Sequence, residues 1–203
     1  MNTAIAAVSV LALGSGVWLL QHDAAGAPPQ PSAAQAADGG GAPARQAGAQ
    51  ALPPSPPTRI RIPAIDVDVP LTGLGLTEDG SLDVPPAERS DLAGWYESGT
   101  TPGATGTAIV AGHVDNAEGP SVFYSLGSLT KGRSIEVDRT DGRTAVFTVD
   151  AVEVYDSRAF PDDKVYGAAQ RPELRVITCG GGYSKKRGYL GNVVVFAHMT
   201  GVR

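Results

Sequence analysis

From Thr58 to the C-terminus the chain is a succession of short β-type runs, and this pattern limits the possible fold more than any other feature. RIRIPAIDVDVPL alternates apolar and polar residues through Ile60 and Ile62, breaks at Pro63, and resumes through Ile65, Val67 and Val69. GTAIVAGH, SIEVD, TAVFTVDAVEVYD, ELRVITC and NVVVFAHM follow, rich in the β-branched and aromatic residues that suit a pleated surface. Gly, Pro, Asp and Ser clusters separate the runs, and Thr140-Asp141-Gly142 between two of them is a hairpin signal. Helix is scarce: a short one is expected over Ser121 to Leu129, after Pro120, and a further turn over Pro161 to Tyr166. No heptad and no longer repeat is present. Many short strands with few helices predict a mainly β domain over 58–203, either a closed barrel or a sandwich.

The first 57 residues are of a different kind. Ala4 to Leu20 is an unbroken run of apolar or small residues. As a helix it would extend about 25 Å at roughly 1.5 Å per residue, close to the ~30 Å of a bilayer core. Trp18 suits the interface. Residues 1–23 are therefore expected to form a signal-anchor or transmembrane helix. The first charged side chain is Asp23 and the first basic one Arg45, so either the free amino terminus serves as the basic flank or the chain starts further upstream. Ala25-Gly26-Ala27 resembles a cleavage site, which keeps a removed signal peptide as the competing expectation. Residues 24–57 are mostly Ala, Pro, Gly and Gln. A segment with so little apolar bulk cannot offset its ordering entropy, so a disordered linker is expected there.

The formal net charge is −5, and the one dense basic run, Lys185-Lys186-Arg187, is too short for a nucleic-acid surface. A single cysteine rules out an intramolecular disulfide. Counted alone, it would be a small buried hydrophobe. Its setting argues otherwise: the strand Leu174 to Thr178 delivers Cys179 directly into Gly180-Gly181-Gly182. Glycines after a nucleophile allow close approach of a substrate and free N–H groups to face a developing oxyanion. A thiol attacks as thiolate, and Lys185, Lys186 and Arg187 are near enough in sequence to fold back toward it, or to remain a solvated loop.

Of the three histidines, His22 follows the apolar run and His198 ends the last strand. His113 sits where the strand Gly106 to Ala111 runs into a polar loop, the kind of place where a rigid scaffold presents reactive groups. In a barrel, strand ends gather at one mouth, which could bring His113 and Cys179 together across 66 positions. Asp115 or Asn116 could orient His113, or cap the loop that follows it. Thr178 could support the site through its hydroxyl or serve only the strand. Trp95 and Tyr96 belong to a substrate groove or to the core.

LRVITCGGGYSKKRGYLGNVVVFAHM, with GTAIVAGHVDN upstream, resembles the bacterial sortases, and most closely the class E or F types of high-G+C Gram-positive bacteria. The resemblance spans Thr58 to Arg203. Thr178 and Cys179 match the end of the family's Thr-Leu-x-Thr-Cys motif, while Arg175 and Val176 depart from its first Thr and its Leu. It implies an eight-stranded β-barrel and a cysteine transpeptidase. Cys179 would attack the Thr–Gly bond of a Leu-Pro-x-Thr-Gly-like sorting signal, and His113 would protonate the leaving amine. Arg187, the only Arg between Cys179 and Arg203, would hold the oxyanion or the signal. Thr178 and Gly180 would lie on the substrate side. The thioacyl intermediate would pass to an amine of a peptidoglycan precursor or a pilin Lys. The resemblance also implies an extracytoplasmic domain on a single membrane anchor. No cofactor and no metal are expected, since the acidic calcium site of some class A enzymes cannot be placed here.

Two rivals differ in what they require. An L,D-transpeptidase resembles a Ser-His-Gly then Cys-x-Arg pattern with His close upstream of Cys, and no His lies between 113 and 198. A non-catalytic extracytoplasmic β-domain binding a wall component or protein partner would leave Cys179 inert.

Overall fold

Strand β8 (Thr144–Asp156) shows how the alternation becomes a wall. Ala145, Phe147 and Val149 are buried while Thr144, Val146 and Thr148 are partly open, as a strand with one face on a core requires. Opposite it, β10 (Gly188–Val202) pairs Phe196 with Ala151 and Ala197 with Val149, so Asp150 is left over as a bulge. The extra residue changes which side of the sheet the following positions face. Val152 therefore joins the interior and Ala151 packs outside.

The computed structural model describes residues 26–37, 49–78 and 80–203. The other strands are β1 (Pro57–Ile62), β2 (Val67–Leu74), β3 (Ala93–Tyr96), β4 (Gly106–Ala111), β5 (Asp115–Asn116), β6 (Gly119–Pro120), β7 (Ser134–Arg139) and β9 (Pro172–Ser184). Eight strands close a barrel in the order β1-β2-β3-β4-β9-β10-β8-β7, and β5 and β6 form a small separate hairpin. The pairs β2–β3 and β4–β9 are parallel. The expected turn at Thr140-Asp141-Gly142 joins β7 to β8, with Gly142 at φ 79°, a conformation that glycine adopts without strain.

The barrel interior is filled by Ile60, Ile62, Phe123, Leu126, Leu129 and Phe147, all essentially inaccessible. Phe147→Ala is expected to cost about 3–5 kcal/mol through lost burial and a residual cavity. Urea titration should show a lower midpoint with an unchanged slope. Phe123, Leu126 and Leu129 lie where a short helix was expected. The segment instead makes a tighter turn, 3₁₀ over Leu126–Ser128, which sets residues three apart on one face and buries all three. The turn expected over Pro161 to Tyr166 is the helix α1 (Asp162–Tyr166). Its Val165 covers a second apolar patch on the outside of the barrel, made by Ile109, Ile177, Val194 and Phe196.

The expected anchor at 1–23 lies outside the described residues. Among the described residues no helix is long and apolar enough to cross a membrane. Within the segment read as a disordered linker, the described parts lie against the barrel. Ala49 N donates to Met199 O (3.1 Å) and Leu52 N to Gly103 O (2.8 Å). The guanidinium of Arg139, 3% exposed, donates to the carbonyls of Pro53 and Pro102. Further upstream, Tyr124 OH donates to Gly26 O (3.2 Å), Lys131 N to Gln35 Oε1 (2.9 Å) and Gly181 N to Gln30 Oε1 (3.2 Å). The segment has few apolar side chains, so its composition gives no sign of docking. Hydrogen bonds from backbone groups and glutamines hold it, together with Ala49 and Leu52, which pack against the barrel core.

Candidate active site

Three adjacent strands, β4, β9 and β10, build the site, and their register decides which side chains meet. β4 and β9 run parallel with Ala111 opposite Ile177. Ala108 and Val110 face the interior, as do Leu174 and Val176, so Ile109, Arg175 and Ile177 face outward. Continued by two further residues along each strand, the same register would set His113 opposite Cys179 on the outer face. Two bonds hold the strands together across this step: Gly112 N donates to Ile177 O (3.2 Å), and Thr178 Oγ1 donates to Gly112 O (2.8 Å). On the other side β10 pairs Asn192 with Cys179 and Val194 with Ile177. The outer face thus carries rows across the three strands, and one row is His113, Cys179, Asn192.

Glycine is required at both strand exits by packing. A Cβ on Gly112 would meet Val122 and Phe123 at 2.8 Å, and one on Gly180 would meet Val193 at 2.6 Å. Gly181 and Gly182 carry φ of 72° and 89°, which turn the backbone away after the sulfur.

His113 Nε2 lies 2.7 Å from Pro85 O. A carbonyl can only accept, so Nε2 carries the hydrogen and Nδ1 is the nitrogen left to exchange a proton. Neither side chain proposed to orient the ring does so. Asp115 accepts from Tyr189 OH. Asn116 caps its own turn, accepting from Glu118 N (2.9 Å) and Gly119 N (3.2 Å), and its Nδ2 donates to Ala87 O (2.9 Å). The Pro85 carbonyl escaped the sequence reading because a backbone oxygen leaves no trace in residue type.

Cys179 is exposed as a residue, yet protein surrounds the sulfur closely enough that partial burial pushes the thiol pKa up. The Asp115 carboxylate adds to the rise, since a negative charge disfavours thiolate. Arg187 is exposed at the β9–β10 turn and lines a cleft with Asp156, Arg158 and Leu190. Asp156 stands on β8, on the far side of β10 from Cys179, and it is there that the Arg187 charge acts. Among the expected site residues, then, His113 and Cys179 lie just past the ends of the paired β4 and β9 runs, and Arg187 lies by Asp156. Thr178, expected on the substrate side, is 3% exposed with its hydroxyl on Gly112 O, where it ties the two strand exits together. Gly180 lies inside the β9–β10 ladder opposite Gly191. His198 is buried against Asp150 (2.7 Å), and His22 falls outside the described residues.

Burial and the Asp115 charge both favour the neutral thiol at position 179 over the thiolate. Asp115→Asn removes the opposing charge while keeping an oxygen for Tyr189. The midpoint of the pH profile for iodoacetamide alkylation should move to lower pH, and the rate below that midpoint should rise. An unchanged profile would show that Asp115 does not act on the thiol.

A Sortase domain model matches residues 60–200, well over half the chain. The chain belongs to the sortase family. No curated protein matches this sortase in sequence. Solved structures agree in fold. The SrtA sortase of Actinomyces oris is 19% identical over 77% of this chain and 89% of its own, with a TM-score of 0.58. Sortase A of Corynebacterium diphtheriae is 21% identical over 72% and 62%, at 0.56. A sortase D5 transpeptidase of Clostridium perfringens is 22% identical over 72% and 79%, at 0.53. Sortases are cysteine transpeptidases, and Cys179 is the one cysteine of the chain. Among the described residues no cluster of His, Cys, Asp and Glu could hold a metal ion.

Trp95 and Tyr96 face different environments. Trp95 packs in the barrel core and donates from Nε1 to Thr100 O (3.1 Å). Tyr96 lines a cavity of about 560 Å³ with Leu76, Leu82, Thr107, Ile109 and Tyr166. The cavity lies between the β2–β3 and β8–β9 connections, on the outer face that also carries the reactive row.

Proposed function

We propose that this sortase cleaves a Leu-Pro-x-Thr-Gly-like sorting signal between Thr and Gly and transfers the shortened protein to an amine, from a peptidoglycan precursor or a pilin lysine. We further place it on the extracytoplasmic side of a cell membrane, held by the apolar run at its N-terminus. The parallel β4–β9 register, which continued past Ala111 and Ile177 would align His113 with Cys179 on the outer face, supports the reading. The cavity supports a peptide substrate. Ile109 in its floor is four residues before His113, about 13 Å at roughly 3.3 Å per residue. An extended tetrapeptide upstream of the scissile bond spans the same length.

Nδ1 of His113 accepts the thiol proton as Sγ of Cys179 attacks the Thr carbonyl carbon. The C–S bond forms and the carbonyl π pair moves onto oxygen. The C=O then re-forms, the C–N bond breaks, and the proton on Nδ1 passes to the departing Gly amine. The acceptor amine attacks the thioester, gives a proton to Nδ1, and expels the sulfur. The full chain incubated with a fluorogenic Leu-Pro-x-Thr-Gly peptide should release fluorescence and carry a thioacyl adduct by intact mass. A Leu-Ala-x-Thr-Gly peptide run beside it reports motif preference. Absence of both cleavage and adduct with either peptide would refute the proposal.

A further inference from the structure

Attack on a carbonyl places a negative charge on oxygen, and a donor must meet it. The backbone N–H groups following Cys179 are poorly available. Gly181 N already donates to Gln30 Oε1, and Gly180 lies within the β9–β10 ladder. Arg187 leans toward Asp156 at the hairpin end. The row across the outer face does contain a side-chain donor. Asn192 is the direct partner of Cys179, which puts the two Cβ atoms about 4.5–5.5 Å apart. Val193 and Val195 face the interior and Val194 and Phe196 face outward, so Asn192 shares the outward face with the sulfur. It is half-buried, and among the described residues its Nδ2 makes only a long contact, 3.5 Å, to Thr178 O. An amide has two N–H donors, and this one is little committed.

We infer that Asn192 is a catalytic residue of this sortase, its Nδ2 donating to the carbonyl oxygen as the C–S bond forms. It and His113 flank the sulfur from opposite sides. His113 handles protons on the leaving-group side, and Asn192 takes the oxyanion. A neutral donor has a consequence that a guanidinium would not. It stabilises the tetrahedral oxyanion without lowering the pKa of the neighbouring thiol, in keeping with a thiol held neutral at rest.

The inference rests on Cys179 being the acylated nucleophile, as proposed above, but its test needs no sorting signal. Two reagents distinguish oxyanion formation from thiol reactivity. p-Nitrophenyl acetate acylates a thiolate through a tetrahedral oxyanion, releasing p-nitrophenolate. Iodoacetamide alkylates the same thiolate by displacing iodide, with no oxyanion. The ratio of the two rates cancels any change in thiolate fraction. In the full chain, with Cys179→Ala as background, Asn192→Ala is expected to lower that ratio on the order of 10²-fold. Asn192→Asp, which keeps the shape and removes the donor, should lower it similarly, and its alkylation rate reports that the site is intact. A ratio within twofold of the wild type in both variants overturns the inference. So does a larger fall for Arg187→Ala than for Asn192→Ala. If the wild type leaves the sorting-signal peptides uncleaved, the sortase substrate proposal fails and the ratio still decides the role of Asn192.

Discussion

Cys179→Ala should lower cleavage of a sorting-signal peptide by at least ~10⁴-fold and abolish the thioacyl adduct, because no other group in the row can form the bond to carbon. The loss should be almost purely in kcat if the peptide sits, as proposed, in the cavity lined by Tyr96 and Ile109, where the sulfur contributes little to holding the chain. Stability should hardly change. The residue is exposed, and substitutions of that kind usually fall within about ±0.5 kcal/mol. Cys179→Ser tests the same idea more sharply. It keeps the geometry but replaces a group that ionises within reach of His113 with an alcohol that does not, so it too should fall by orders of magnitude. A serine variant retaining more than a tenth of the activity would mean that the sulfur is not the nucleophile. An alanine variant that unfolds would mean that Cys179 supports the barrel instead.

Much of this arrangement could be read from residue order. The strand runs at 106–111 and 174–178 were visible as β-branched stretches, and so was the glycine next to each reactive residue, Gly112 before His113 and Gly180 after Cys179. What residue order does not contain is register. That β4 lies parallel beside β9 follows from barrel closure, and the pairing of Asn192 with Cys179 depends on how many residues the β9–β10 hairpin places in its turn and bulge. Arg187 was the natural donor in a linear reading because it is near in sequence. The hairpin carries it away to the β8 side. Asn192, 13 positions beyond Cys179, is closer because two antiparallel strands fold back on one another. The docked parts of the N-terminal segment were illegible for a different reason. Burial potential was read from apolar side chains, and Gln30, Gln35 and the carbonyls of Gly26 and Pro53 bind through hydrogen bonds that composition does not signal.

His113 poses a finer question than Cys179, because it is assigned two jobs, and these can be separated. As a base it takes the thiol proton. As an acid it returns that proton to a leaving amine, which without it would depart as a high-energy anion. The Pro85 carbonyl fixes Nε2–H, so one atom, Nδ1, must do both. His113→Gln should cost on the order of 10³-fold in peptide cleavage near neutral pH, within the range typical of general acid–base groups. Raising the pH ionises the thiol without help and removes the need for a base. For p-nitrophenyl acetate, whose leaving group departs unprotonated, the deficit of the variant should then nearly vanish. For the peptide it should persist, because the amine still lacks its proton. A deficit that shrinks equally for both substrates would leave His113 a base only and require another donor for the amine. A deficit that persists equally for both would make the ring a structural support of the β4 exit, and the proton path drawn here would have to be abandoned.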